Sequence, residues 1–112
     1  MSIQTGGVPK EVLDDIVRRI VEVARPKRII LFGSAARGEQ GAHSDVDLLV
    51  VVPDGVPRRK TAQAIYRRLA GLGVSKDVVV VTEGDVVEYG DNPTLVLYPA
   101  LREGKELYRA AG

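Results

Sequence analysis

The feature that most constrains this sequence is the segment Leu31 to Val50, in which a Gly-Ser pair precedes two closely spaced aspartates. The apolar run Arg28 to Phe32 predicts a strand that breaks at Gly33-Ser34, after which Ala35-Ala36-Arg37 can open a short helix. Glycine lets an anion approach the backbone, and the first amides of a helix point toward it. Gly33, Ser34 and Arg37 are therefore candidate phosphate ligands.

Two acids follow at the start of the apolar run Val46 to Val52, namely Asp45 and Asp47. Because side chains alternate along a strand, both carboxylates are predicted on one face, with attachment points roughly 6.6 Å apart. Such a pair can hold one or two hard cations, and beside a phosphate-binding loop it favours magnesium-dependent phosphoryl or nucleotidyl transfer. An ordinary turn and solvated strand-end charges would explain each feature alone, but not their joint order and spacing.

A third acid, Asp77, heads the β-branched run that continues to Thr82. Aspartate is poorly suited to that place unless something compensates its charge, and a metal ion would do so. A plain strand-end charge is the alternative. The one histidine, His43, is interpreted as a solvated loop residue and not as a general base. The tyrosines are interpreted as core or interface rings and not as nucleotide stackers; they are Tyr66, Tyr89, Tyr98 and Tyr108.

These residues carry a family resemblance. Gly33-Ser34 followed by Asp45-Val46-Asp47 resembles the signature of the DNA polymerase beta-type nucleotidyltransferase superfamily. The surrounding residues, together with Glu103-Gly104 and Leu107-Tyr108, are most similar to the minimal nucleotidyltransferases that are commonly encoded beside a HEPN-domain partner. The resemblance implies an α/β (α+β) fold, in which helices flank a small mixed β-sheet.

The same resemblance implies an activity. Asp45, Asp47 and Asp77 would bind Mg²⁺, and ATP would be the donor of AMP to a hydroxyl group. Asp77 could instead accept the proton of the attacking hydroxyl. The acceptor would be a tyrosine of a HEPN-type toxin, which gives this chain an antitoxin role.

Composition limits the alternatives. A chain of 112 residues predicts one domain, 1–112, without room for a second substrate-recognition domain. The formal charge is +1, from 16 basic and 15 acidic residues. Net charge alone therefore gives no electrostatic reason to expect nucleic-acid binding or membrane attachment. Cysteine is absent, which excludes disulfides and thiolate chemistry and fits a cytoplasmic location.

Two rival functions stay open. One is a transferase acting on a small molecule, like resistance nucleotidyltransferases, although those carry an added domain. The other is a module that neutralises its partner by contact alone, with idle acids. The sequence leaves the acceptor, the nucleobase and the oligomeric state undetermined, and an oligomer is compatible with it.

The remaining pattern predicts supporting elements. Helices are expected from Pro9 to about Arg25 and from Pro57 to Leu72. In the C-terminal part we expect a helical turn over Val86 to Tyr89 and a helix over Thr94 to Arg102 that Pro99 disturbs. A last strand is expected over Lys105 to Tyr108. The Pro57 to Leu72 helix is rich in Arg and Lys, which marks either a solvated face or a patch for a partner or nucleotide. That helix and the segment Leu95 to Tyr108 are the candidate docking surfaces.

Overall fold

The computed structural model describes residues 8–33, 46–90, 92 and 97–111. In chain order the described elements are α1 Lys10–Ala24, β1 Arg28–Phe32, β2 Val46–Val52, α2 Arg58–Leu69, β3 Lys76–Thr82, α3 Glu83–Tyr89, α4 Leu97–Glu103 and β4 Lys105–Arg109. The strands form one mixed sheet in the order β3-β2-β1-β4. The β2–β3 pair is parallel, and β1 is antiparallel to both β2 and β4. The predicted mixed α/β fold is confirmed.

The sheet is covered on both faces, as the apolar run of β2 predicts. Six of the seven β2 residues are buried, and only Asp47 is half-buried. On one face the strands pack against α1 and α2. On the other face they pack against Leu97 and Ala100 of α4. The central strand is therefore fixed between two apolar layers, and with it the position of Asp47.

The helix α1 follows the predicted pattern. Leu13, Ile16 and Ile20 are buried at helical spacing against the sheet. Pro9 occupies the N-cap position, and its carbonyl accepts hydrogen bonds from two N–H groups of the first helical turn. Arg25, which precedes Pro26, leaves the right-handed helical region at φ 46°. This residue ends α1 where the sequence predicts.

The helix α2 places Ile65 and Leu69 in the same apolar layer as α1. Ala62, at helical spacing from these two residues, and Leu72, just after the helix, are half-buried. After the helix the chain turns through Gly71 and Gly73, both with positive φ. The turn returns the chain to β3, which lies parallel to β2 through a helical crossover.

The C-terminal part differs in detail from expectation. The helix α3 begins at Glu83, three residues before the predicted turn, because Thr82 and Asp85 form a capping box at its start. Pro99 lies within α4, which continues past it to Glu103. The predicted residues 94–96 of this helix lie outside the described part. The strand β4 closes the sheet against β1 as predicted.

Candidate active site

The structure describes half of the predicted site residues. Gly33, Asp47 and Asp77 are described, whereas Ser34, Arg37 and Asp45 lie outside the described residues. The predicted helix over 35–37 and His43 also lie outside them. The geometry of the site therefore rests on the first three residues and their neighbours.

Asp47 and Asp77 occupy directly paired positions on the parallel strands β2 and β3. Neighbouring strands lie about 4.8 Å apart, and paired residues project to the same face of a sheet. Side chains two residues apart in a strand lie on the same face, so Asp47 shares the face of Leu49 and Val51. This is the face that α4 covers. Asp47 is half-buried and Asp77 is exposed. The pairing brings two carboxylates together at one end of the sheet.

Gly33 lies at the same end of the sheet. It follows Phe32, the β1 residue that pairs with Asp47. Its φ of +75° is one that L residues rarely adopt. A Cβ at this position would overlap Asp47 Oδ2 and stand 3.2 Å from Cγ. Glycine thus lets the backbone lie directly against the Asp47 carboxylate, which any side chain at this position would displace.

Tyr66 joins the site although the sequence does not single it out. Its side chain leaves α2 and reaches the outer edge of β3, an edge strand of the sheet. The Tyr66 hydroxyl donates a hydrogen bond of 3.2 Å to Asp77 Oδ1 and accepts one of 2.8 Å from the Val78 N–H. The interpretation of Tyr66 as a core or interface ring missed this contact, because no local pattern reveals how α2 is placed across β3.

The donor chemistry of the site suits Mg²⁺. Carboxylate oxygens are the hard ligands that this ion prefers. Asp47 and Asp77 are the two predicted metal ligands that the structure describes. No group of three or more His, Cys, Asp or Glu residues is arranged to hold a metal ion within the described part of the chain, from which Asp45 is missing.

Two cavities lie away from these carboxylates. One, of about 300 Å³, opens between α1 and β4 beside Leu13 and Leu107. The other, of about 330 Å³, lies beside Val51 and Val86 at the opposite end of β2 from Asp47. Neither is lined by Asp47 or Asp77. In the described ranges no helix has the length and apolarity required to cross a bilayer.

The cations of α2 differ in how they are neutralised. Arg58 pairs with Asp85 at 2.9 Å, and Arg68 pairs with Glu22 at 3.1 Å. Three further cations of this helix are exposed and form no ion pair with another described residue; they are Arg59, Lys60 and Arg67. We refer to these three as the basic stretch of α2. It lies on the same helix as Tyr66 and therefore near the edge strand that carries Asp77.

Sequence and structure comparisons agree with this architecture. Residues 11–107 match the nucleotidyltransferase domain family. The chain is also 32% identical over 72 residues to MJ0141 of Methanocaldococcus jannaschii, a candidate protein adenylyltransferase by name. That alignment covers 62% of this chain and 72% of MJ0141.

Three solved structures share the fold. A toxin-antitoxin crystal structure with AMP-PNP has 24% identity and a TM-score of 0.58, with 87% of this chain and 73% of that chain covered. A candidate nucleotidyltransferase from Sulfolobus solfataricus has 20% identity and a TM-score of 0.53. The alignment covers 92% of this chain and 91% of that chain. A mutant of the toxin-antitoxin MntA-HpeT has 20% identity and a TM-score of 0.58. That alignment covers 92% of this chain and 75% of that chain.

Proposed function

The chain belongs to the nucleotidyltransferase domain family and is a nucleotidyltransferase, and we propose that it transfers AMP from ATP to a hydroxyl group. The observation that carries this proposal is the direct pairing of Asp47 with Asp77 at the end of the sheet where the Gly33 backbone lies against the Asp47 carboxylate. Two carboxylates at one sheet end suit a metal-bound triphosphate, and the glycine admits an anion close to the backbone. Residues 1–112 would form one such domain.

Each site residue has a role in this proposal. Gly33, Ser34 and Arg37 would hold the outgoing phosphates, while Asp45, Asp47 and Asp77 would hold Mg²⁺. When bound, Mg²⁺ would neutralise charge on the triphosphate and lower the pKa of the acceptor hydroxyl. The half-buried Asp47 is held by the packed strand β2, which limits its freedom to turn away from the ligand.

The bond changes follow from these positions. The acceptor oxygen attacks the α-phosphorus of ATP, a new P–O bond forms, and the bond to the β-phosphate bridging oxygen breaks. Pyrophosphate leaves, and its charge stays near Ser34 and Arg37. The acceptor proton passes to Asp77 or to water. The chain contributes mainly positioning and charge stabilisation, as is usual in phosphoryl-group chemistry.

For the acceptor we propose a tyrosine of a HEPN-type toxin, with this chain as the antitoxin. Support comes from the name of MJ0141, a candidate protein adenylyltransferase, and from two structural neighbours that are toxin-antitoxin complexes. A cytoplasmic location belongs to the same proposal, because ATP is the donor.

The structure separates the two candidate docking surfaces. In the C-terminal segment, Leu97 and Ala100 are buried in the core of this chain, and Leu101 packs against it. The apolar side of α4 is thereby occupied. The basic stretch of α2, by contrast, is exposed and forms no described ion pair. We therefore place the docking of the partner on α2.

The test is transfer to the partner. Incubation of this protein with ATP, Mg²⁺ and the HEPN-type protein encoded beside it should add one or more AMP groups to an acceptor hydroxyl, seen by mass spectrometry. An Asp45→Asn, Asp47→Asn double variant should add none. Asp14→Asn, which changes an exposed carboxylate of α1 that pairs with Lys10, is the matched control and should transfer normally.

The same assay decides between the rivals. Complete neutralisation of the partner without a mass shift, while ATP binding is intact, would establish contact alone as the mechanism. Transfer to a small hydroxyl compound but not to the protein partner would favour the small-molecule enzyme.

A further inference from the structure

We propose that Tyr66 is a positioning residue, whose hydroxyl fixes the carboxylate of Asp77 for metal binding. This inference rests on the proposed function for the role of Asp77. It adds a residue from a different helix to the site and predicts how that residue acts.

The hydroxyl of Tyr66 is held from two sides. The Val78 N–H donates to it at 2.8 Å, and it donates to Asp77 Oδ1 at 3.2 Å. A tyrosine hydroxyl has one hydrogen to donate, so the bond from the backbone directs that hydrogen toward the carboxylate. The backbone of β3 thereby fixes the direction of the Tyr66 O–H, and this O–H in turn orients the carboxylate of Asp77.

The anchor of this arrangement is rigid. Tyr66 extends from α2, whose neighbouring residues Ile65 and Leu69 are fully buried against the sheet. The ring is 37% exposed, so it is not itself a core residue. Its hydroxyl donates to Asp77 and accepts from the Val78 N–H, which points away from β2 and has no partner among the described strands. The position of the hydroxyl is therefore fixed by the core and by the strand together.

Asp77 needs such a contact more than Asp47 does. Asp47 lies half-buried between two neighbouring strands, whereas Asp77 is exposed on the edge strand. An exposed aspartate side chain is free to populate several rotamers, and a metal ligand is useful in only some of them. Because Tyr66 engages Oδ1, the second carboxylate oxygen, Oδ2, is left for the ion. Hydrogen bonds of this kind orient ligands in many metal sites.

A purely structural role for Tyr66 makes a different prediction. If the hydroxyl serves only to cap the Val78 N–H, its removal lowers stability without any effect that depends on Asp77. The two roles are separated by a cycle of single and double variants at Tyr66 and Asp77.

The experiment measures the affinity of the full chain for Mn²⁺ in the presence of AMP-PNP, by electron paramagnetic resonance. Tyr66→Phe should weaken Mn²⁺ binding by about tenfold, the lower end of what such outer contacts contribute. Asp77→Asn should weaken it at least as much, and adding Tyr66→Phe to Asp77→Asn should change nothing further. Tyr89→Phe removes the hydroxyl of a ring that is 41% exposed, comparable to Tyr66, and should bind Mn²⁺ like the wild type.

Each other result overturns the proposal in a recognisable way. Equal loss from Tyr66→Phe in the presence and absence of the Asp77 carboxylate would show that Tyr66 does not act through it. Unchanged Mn²⁺ affinity in Tyr66→Phe, with a lowered melting temperature, would leave only the structural role. Normal Mn²⁺ binding by Asp77→Asn would remove Asp77 from the metal site and this inference with it. None of these measurements requires an acceptor, so failure of the proposed transfer reaction is recognised separately.

Discussion

The backbone of Gly33 lies directly against the carboxylate of Asp47. A Cβ at position 33 would overlap Asp47 Oδ2 and stand 3.2 Å from Cγ. Two independent constraints therefore require glycine here, the left-handed φ and the nearness of the acid. The chain offers a way to separate them, because Gly73 has a similar φ of +71° and a methyl group placed there would meet nothing within 4 Å.

The first prediction uses this pair of glycines. Gly33→Ala and Gly73→Ala should each lose about 1 kcal/mol of unfolding free energy to left-handed backbone strain. Only Gly33→Ala should also weaken Mg-ATP binding, by about tenfold or more, because the methyl group displaces Asp47. Urea unfolding and calorimetry measure the two effects. Equal Mg-ATP affinity in both variants would show that the contact between Gly33 and Asp47 does not matter for nucleotide binding.

The second prediction concerns Asp47 itself. Asp47→Asn keeps the size of the side chain but removes the charge that attracts a cation, so metal-dependent ATP binding should fall while the fold persists. Calorimetry in Mg²⁺ and in EDTA measures the metal-dependent part directly. Asp14→Asn provides the control for loss of one surface carboxylate. Identical binding in both solutions, for wild type and variant alike, would contradict a metal site at Asp47.

The sequence predicts the strands of this site better than their pairing. Alternation along β2 places Asp47 on a definite face, and the apolar run of β2 predicts burial on both faces. The register that sets Asp47 beside Asp77 depends on how β3 aligns with β2 after the α2 crossover. That alignment is decided by packing of α2 on the sheet, which no local pattern encodes. The contact of Tyr66 with Asp77 was missed for the same reason.

The extent of α3 was missed for a different reason, since its signal is local. Thr82 accepts a hydrogen bond from the Asp85 N–H, and the Asp85 carboxylate accepts one from the Thr82 N–H. The spacing is that of a capping box, with aspartate in the place usually taken by glutamate or glutamine. The apolar residues of α3 give little periodic signal, so only the cap could have revealed that the helix starts at Glu83.

The third prediction follows from this cap. The Thr82 N–H, and after it the Thr82 hydroxyl and Arg58, hold the pKa of Asp85 below its ordinary value despite partial burial. A carboxyl whose pKa is lowered on folding stabilises the fold above its unfolded pKa, and the contribution is lost as pH falls through the lowered value. Asp85→Asn should therefore cost about 1 kcal/mol near neutral pH, and this difference should shrink below a pH of about 4.

Urea unfolding of the wild type and Asp85→Asn across this pH range measures the effect. Asp14→Asn changes a more exposed aspartate with an i,i+4 lysine partner, and its cost should be smaller. A difference between wild type and Asp85→Asn that stays constant down to strongly acid pH would contradict the assigned role of the charge.

The last prediction concerns the basic stretch of α2. Arg58 and Arg68 are neutralised by acids of the same chain, but Arg67 and its two companions, Arg59 and Lys60, form no described ion pair. A chain with a formal charge of only +1 thus concentrates unpaired positive charge on one helix, beside the edge strand of the site. Exposed charges of this kind mainly accelerate association with an oppositely charged partner.

Arg67→Glu should accordingly slow association with the HEPN-type partner by about tenfold at low salt, and the difference should narrow as salt screens the charges. Mg-ATP binding should be unchanged, because Arg67 has no role in holding the nucleotide. Lys27→Glu makes the same change of charge ahead of β1, at the opposite end of that strand from Gly33, and should associate normally. Stopped-flow mixing at several salt concentrations measures these rates. If both variants slow association equally, net charge and not the position of α2 governs the encounter, and the partner docks elsewhere.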